Sequence, residues 1–209
     1  MRELTTLLRE GASALGLDLP ERAVAPILRH VELLLKWNPT VNLTAIVDPG
    51  EVIERHVLDS LAIAPYLPAG VLLDAGSGGG FPGIPVRILR PDIEVLLVDS
   101  AGRKVAFLKS VLADLRLHGA RALQARLAGA PAKEGVPLAD VAVARAFAEP
   151  AAWLPLGARY TRPGGIVLFM AGKQELPEAV DALRLLRTVT WSLPFSKARR
   201  RPGIHQADP

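Results

Sequence analysis

The 209-residue sequence contains no cysteine. That absence excludes a disulfide framework, thiolate-held zinc or iron–sulfur centres, and any covalent mechanism through a cysteine nucleophile. No apolar run approaches the roughly 18 residues of a membrane span. The opening stretch has Arg2, Glu3, Arg9 and Glu10 inside its apolar pattern, so it fails as a signal peptide. A cytoplasmic location is the expectation. Internal repeats, a long linker and a G-X-Y period are also missing. Excess charge of one sign is small: Lys+Arg 25 against Asp+Glu 21 gives +4. With an isoelectric point near 9.8, this balance permits an anionic partner without demanding one.

What is present is enough apolar material for a core. Half of the residues are hydrophobic and 22% are charged, which excludes global disorder. The length suits one domain with an appendage. Leu4, Leu7, Leu8 and Leu15 follow a helical stripe, and Val24, Ile27, Leu28, Val31, Leu34 and Leu35 make a stronger one. Pro26 is expected to kink or restart that second helix. Ile53, Val57 and Leu61 predict a third helix ending before Pro65. Residues 1–68 therefore read as a helical cap, and 69–209 as a core with a basic C-terminal tail. Lys197, Arg199, Arg200 and Arg201 stand in that tail, which is expected to be mobile.

From residue 71 the period changes. Val71–Asp74, Ile93–Asp99, 121–125, Val141–Ala144 and Ile166–Met170 read as strands alternating with helices such as the Val105–Leu115 stripe. That order predicts an α/β fold with a doubly wound, mostly parallel sheet and right-handed crossovers.

After the first strand comes Gly76-Ser77-Gly78-Gly79-Gly80-Phe81. Glycines there let backbone approach a nucleotide-like ligand. A dinucleotide fingerprint beginning at Gly76 needs glycine at position 81, which is Phe81. The spacing Gly76, Gly78, Gly80 instead resembles S-adenosylmethionine-dependent methyltransferases. Asp99, 25 residues after Asp74 and at the end of the second strand, is placed to accept ribose hydroxyls. The blander reading is a tight turn for the glycines, a helix cap for Asp99 and a core position for Phe81.

Three longer stretches carry a family resemblance. They are Trp37-Asn38-Pro39-Thr40-Val41-Asn42-Leu43-Thr44-Ala45-Ile46, Arg55-His56-Val57-Leu58-Asp59-Ser60-Leu61, and Asp74 through Pro85. With Asp99–Leu108 and Arg145-Ala146-Phe147-Ala148 they resemble the RsmG family, also called glucose-inhibited division protein B, over roughly residues 20–170. The resemblance implies a Rossmann-like fold and a 16S ribosomal RNA methyltransferase. Such an enzyme places a methyl group from S-adenosyl-L-methionine on N7 of one guanine near the decoding site. It further implies cofactor contacts at Gly76, Phe81, the backbone around Leu127 and Ala128, and Arg145. The partner would be 16S rRNA or the small ribosomal subunit, met by a monomer with no membrane association. The chain departs from the family pattern in three places. Arg126-Leu127-Ala128-Gly129 stands where a glutamate is usual, Lys173 is displaced by two positions, and the closing strand has no clear counterpart.

The chemistry fits this residue set. Guanine N7 carries a free lone pair, so attack on a sulfonium methyl needs no general base, and no residue is assigned a catalytic duty. Pyrimidine C5 methylation ordinarily uses a cysteine, which is absent. Arg145 and Phe147 could form a platform for a splayed base, and Lys173 and His56 are further substrate-binding candidates. Arg55, His56 and Asp59 read as one polar helix face at i, i+3 and i, i+4. Arg103, Lys104, Lys109, Arg116, Arg121 and Arg126 could follow an RNA backbone. Two other readings stay open: a catalytically idle rRNA-binding assembly protein and an NAD-dependent oxidoreductase.

Overall fold

The computed structural model describes residues 2–145, 149–170, 180 and 183–207. Arg2–Ala14 forms α1 and Glu21–Val41 forms α2. Helix α2 buries Val24, Ile27, Val31 and Leu34 on one face, with His30 among them, the stripe that packs a helix on a core. It runs through both Pro26 and Pro39, contrary to the expected restart. A proline in the second turn forfeits one backbone hydrogen bond, and burial of the stripe on both sides of Pro26 outweighs that loss.

The third helix is composite. Asp48 caps it by accepting from the Glu51 N–H at 2.8 Å. It then passes from α3 (Pro49–Val52) through a π-helical turn (Ile53–Leu58) into α4 (Asp59–Leu61). Arg55, His56 and Asp59 still share a face, all three lining one cavity, though each takes a different partner. Arg55 pairs back to Glu51 at 3.3 Å, while Asp59 points to the far end of the chain.

The core follows as β1 (Gly70–Ala75), α5 (Gly83–Leu89), β2 (Ile93–Asp99), α6 (Gly102–Asp114), β3 (Ala120–Gln124), α7 (Pro131–Glu134), β4 (Ala139–Ala144), α8 (Pro150–Ala158) and β5 (Thr161–Phe169). Then come β6 (Leu183–Thr188), β7 (Trp191–Ser192), β8 (Arg199–Arg200) and β9 (Gly203–Ala207). Seven strands form one sheet in the order β3-β2-β1-β4-β5-β9-β6. The first five are parallel, and β9 is antiparallel to both neighbours. This is the Rossmann-like methyltransferase arrangement.

The central strands are apolar on both faces, as a covered parallel sheet requires. Leu72, Val141, Val143 and Leu168 join α5, α6 and the N-terminal helices in one cluster. Leu73, Ala75, Ala142, Val167 and Phe169 face α8 and the buried Trp153 and Tyr160 in another.

Two expectations for the C-terminus are corrected. A closing strand exists: β9 inserts between β5 and β6, with Val167 opposite His205. The basic segment is not a mobile tail, because β7 and β8 pair as a small hairpin docked on the composite helix. Buried Glu54 accepts from the Phe195 and Ser196 N–H groups at 2.7 and 2.6 Å. Asp59, 4% exposed, accepts from Arg200 Nε at 3.2 Å and from the Trp191 indole at 3.3 Å. Partners some 140 residues away in sequence leave no local signal.

Candidate functional site

Strand order reverses at β1, which has β2 on one side and β4 on the other. In open α/β sheets ligands bind beyond the carboxyl ends of the strands at such a point. A cavity of about 490 Å³ opens there, lined by Gly76–Gly79, Phe81, Arg145, Phe169 and Met170 from the core. Leu43 and Ile46 from the segment between α2 and α3, Arg55, His56 and Asp59 from the composite helix, and Lys104 and Arg200 complete it. Its size lies within the range of small-molecule sites.

The glycine loop is braced from below. Asp74 lies fully buried at the end of β1 and accepts from the Gly83 N–H at 2.9 Å, and its carbonyl accepts from the Ser77 hydroxyl at 2.8 Å. Burial pushes the Asp74 carboxyl up to about 7, the Gly83 hydrogen bond opposing. Gly76, Gly78 and Gly80 all have positive φ, where a side chain is strained. At Gly78 the nearest atom to an added Cβ is the Gly76 carbonyl at 3.8 Å, whereas at Gly80 it would strike Ile84 at 2.4 Å. Gly76 and Gly78 therefore offer backbone to the cavity, while Gly80 is a close-packed turn that does not line it.

Asp99 spends one carboxylate oxygen on the Gly78 N–H at 3.0 Å and the other on the Ala101 N–H at 2.9 Å. It ties the loop to the residue before α6 without capping that helix, which has Ala101 as its N-cap and no side-chain cap, and Asp99 itself does not line the cavity.

Above the loop a relay of hydrogen bonds holds one guanidinium. The Asn38 side chain accepts from the Leu43 and Thr44 N–H groups at 2.8 and 2.9 Å and donates to the Thr44 carbonyl at 2.8 Å. This fixes Thr44, whose hydroxyl oxygen lies 2.8 Å from His56 Nε2. On the other side of the ring, Arg145 Nη1 is 3.0 Å from His56 Nδ1 and donates to the Arg55 carbonyl at 3.1 Å. A guanidinium only donates and favours Nδ1 as acceptor, whereas the Arg55 carbonyl, 3.2 Å from the same Nδ1, only accepts; both ring nitrogens are engaged in either tautomer. Burial, then Arg145, lower the His56 pKa to about 3. The π turn contributes: the Asp59 N–H goes to the His56 carbonyl rather than to that of Arg55. Arg145 lies 5.3 Å from the Phe81 ring centroid, a cation–π distance. Phe81 is 4% exposed and also contacts the rings of His30 at 4.8 Å and His56 at 5.0 Å.

The structure thus brings Gly76, Gly78, Phe81, His56 and Arg145 together. Leu127 and Ala128 do not line the cavity. The Ala128 N–H is committed to Glu134 Oε1 at 3.0 Å, and the Gly129 N–H to the Tyr160 hydroxyl at 2.8 Å. Of the six basic residues read as an RNA track, Lys104 alone lines the cavity. Phe147 and Lys173 lie outside the described residues. Sequence reasoning did not assign the bracing roles of Asn38, Thr44, Asp74 and His30: the partner of His30 is 49 residues away, and those of Asn38 and Asp74, though near in sequence, are reached only through loop geometry that periodicity does not encode.

A family described as rRNA small subunit methyltransferase G matches residues 24–201. The chain is 44% identical over 204 residues to ribosomal RNA small subunit methyltransferase G of Myxococcus xanthus, covering 94% of each. It is 44% identical over 200 residues to the protein of that name from Anaeromyxobacter dehalogenans, covering 92% of this chain and 93% of the relative. Among solved structures, a candidate O-methyltransferase from Klebsiella pneumoniae aligns with a TM-score of 0.60 over 100% of this chain and 99% of that one. At 15% identity that likeness concerns the fold alone.

Proposed function

Because this chain belongs to the rRNA small subunit methyltransferase G family, we propose that it transfers the methyl group of S-adenosylmethionine to N7 of one guanine in 16S rRNA near the decoding site. The observation that carries the reading is a cavity with an open glycine backbone and, among the described residues, no available general base. Asp74, the carboxyl raised to about 7, does not line it. Asp59 does, but Arg200 and Trp191 engage its carboxylate. His56 has both ring nitrogens engaged, Nε2 by Thr44 and Nδ1 by Arg145 and the Arg55 carbonyl. A nucleophile that already owns its lone pair, as guanine N7 does, needs only to be held in line.

The residues present fit the cofactor. Gly76 and Gly78 supply a wall without side chains, and a Cβ at Gly78 would meet nothing closer than 3.8 Å. Phe81 gives an apolar face beside them, and Asp99, which does not line the cavity, acts on it through the Gly78 N–H that it holds at 3.0 Å. When bound, S-adenosylmethionine supplies an electrophilic methyl on a sulfonium. Arg145 then positions the acceptor base from across Phe81, since guanidinium planes stack on and hydrogen-bond splayed RNA bases. Lys104, Arg55 and Arg200 give the cavity mouth a positive lining toward phosphate. The lost third glycine, replaced by the packed Phe81, weighs against a dinucleotide.

The test is transfer of radiolabelled methyl from S-adenosylmethionine to small ribosomal subunits that lack the modification, with the nucleotide mapped by N7-specific strand cleavage. Label at a single guanine is expected. Arg145→Lys, which keeps one charged nitrogen for the Arg55 carbonyl and His56 but loses the guanidinium plane over the Phe81 ring, should lower the rate by roughly tenfold, the worth of a partly desolvated cation–π contact. Absence of label on subunits and on naked RNA, with an active relative run alongside, would overturn the assignment.

A further inference from the structure

We propose that His30, in the middle of α2, is a positioning residue for the glycine loop, holding the Gly79 carbonyl and the Phe81 ring from the helical layer. The proposal rests on the cofactor reading above, since the backbone it fixes is the proposed cofactor wall.

His30 is 0% exposed, and its Nε2 lies 2.8 Å from the Gly79 carbonyl oxygen. A carbonyl only accepts, so Nε2 bears the proton. The same ring stacks on Phe81 with centroids 4.8 Å apart and planes at 29°. Its grip extends along the loop: a Cβ on Gly80 would come within 3.3 Å of Nε2. One turn further along α2, Leu34 would stand 2.7 Å from a Cβ on Gly79. Helix α2 therefore closes on the loop so tightly that Gly79 has no room for a side chain. Gly79 and Phe81 both line the cavity, whereas His30 does not, so it acts through them.

The choice of residue supports a positioning duty over plain packing. The His30 Nδ1 is buried with no hydrogen-bond partner among the described residues. An unpartnered buried polar atom costs free energy that an aromatic hydrocarbon in the same slot would avoid. Phenylalanine could stack on Phe81 equally well. What only the imidazole adds is a donor aimed at Gly79, and its effect falls on the conformation of the loop.

The experiment compares wild type with His30→Phe, which keeps the ring and loses the donor, and His30→Gln, which keeps a donor and loses the ring. Leu8→Ala, which truncates a buried α1 side chain, controls for lost stability in the same layer. Affinity for S-adenosylmethionine, kcat and KM on small subunits, and amide exchange of residues 76–83 without ligand are measured. His30→Phe should weaken cofactor affinity roughly fivefold, the worth of one neutral hydrogen bond, with kcat near wild type and faster loop exchange. His30→Gln should recover most of the affinity, and Leu8→Ala should lower the melting temperature without moving it. A folded His30→Phe protein with wild-type affinity and loop exchange overturns the proposal, as does equal weakening by Leu8→Ala. If wild type itself binds no S-adenosylmethionine, the functional reading fails. The exchange of the loop then decides the role of His30: acceleration in His30→Phe upholds it and no change rejects it.

Discussion

A buried imidazole with one nitrogen bonded and the other bare responds to acid in one direction. Burial lowers the His30 pKa from 6.5 to about 4, and the hydrogen bond to Gly79 only partly opposes it. His56 falls to about 3, through burial and the neighbouring Arg145. Both folded values lie below the unfolded one, so neither histidine affects stability above pH 6.5. Below that, the unfolded chain takes up protons that the folded chain refuses, and stability drains away until the folded pKa is reached. Asp74 runs the other way. Its folded value of about 7 exceeds the usual 3.8, so its contribution is complete below pH 3.8 and is lost as pH rises through 7. Between pH 4 and 6.5 the two effects oppose, and a wild-type profile alone does not separate them. The difference between wild type and His30→Phe does. Urea unfolding at pH 7.5 and pH 5 should show wild type losing on the order of 2 kcal/mol more than the variant between the two. Equal losses would mean that His30 is not held neutral. At this scale the site was half legible: Gly76, Gly78 and Phe81 sit in one local motif, and His56 and Arg145 came from a resemblance. His30, Asn38 and Asp74 look like ordinary helix or strand residues, because the remote partner of His30 and the nearby loop backbone that meets the other two are placed only by folding.

Among the elements, the composite helix carries consequences that a regular helix would not. A stripe at four-residue spacing predicts Ile53, Val57 and Leu61 on one face, and all three are buried. The π turn between Ile53 and Leu58 is invisible to that spacing, because its apolar positions still face the core while its polar ones take different partners. Turns of this kind are frequent at functional sites, and here His56 faces Arg145 while Glu54 and Asp59 face the C-terminal hairpin. The two-residue strands β7 and β8 were illegible for a related reason: a hairpin that short is not stable alone and takes its shape from what it docks against. Glu54 provides most of that dock through two backbone N–H groups. Glu54→Ala leaves both donors without an acceptor and should destabilise the protein by about 3 kcal/mol, since hydrogen bonds to a charged acceptor are the strong ones. Amide exchange of residues 191–200 should accelerate more than that of β1 or β4. Glu54→Gln, which retains one carbonyl acceptor, should recover part of the loss. Uniform acceleration across the sheet would show instead that the hairpin is not a separate unit held by Glu54.

For the whole molecule, the alternation of short apolar runs with helical stripes was enough to specify a parallel sheet covered on both faces, because that pattern is fixed by burial and not by partners. The position of β9 between β5 and β6 was beyond it, since an edge insertion is decided by pairing across the sheet. The change of hydrophobic period after residue 68 suggested a cap resting on a core, and the packing bears on how separable the two are. One apolar cluster runs from Leu8, Ile27 and Leu34 through Val57 and Leu61 to Leu72, Ile84, Phe107 and Val143. Arg29 on α2 meets Asp114 at the end of α6 in a two-pronged pair at 2.8 and 2.9 Å. Arg90 donates to the Ala64 and Leu67 carbonyls at 2.8 and 3.2 Å. A cap joined to its sheet by a shared core has no independent interior to retain when the sheet melts, and the sheet would expose the face made by α5 and α6 if the cap left first. Unfolding should therefore be a single cooperative transition. The three tryptophans divide the molecule usefully, with Trp37 in α2, Trp153 in α8 and Trp191 in the hairpin. Variants that each retain one tryptophan, the others replaced by phenylalanine, should each show a fluorescence midpoint in urea coincident with that of their own far-ultraviolet circular dichroism. A Trp37 midpoint well below the dichroism midpoint would show that the helical layer leaves first. The loop that His30 holds would then be lost while the sheet was still intact.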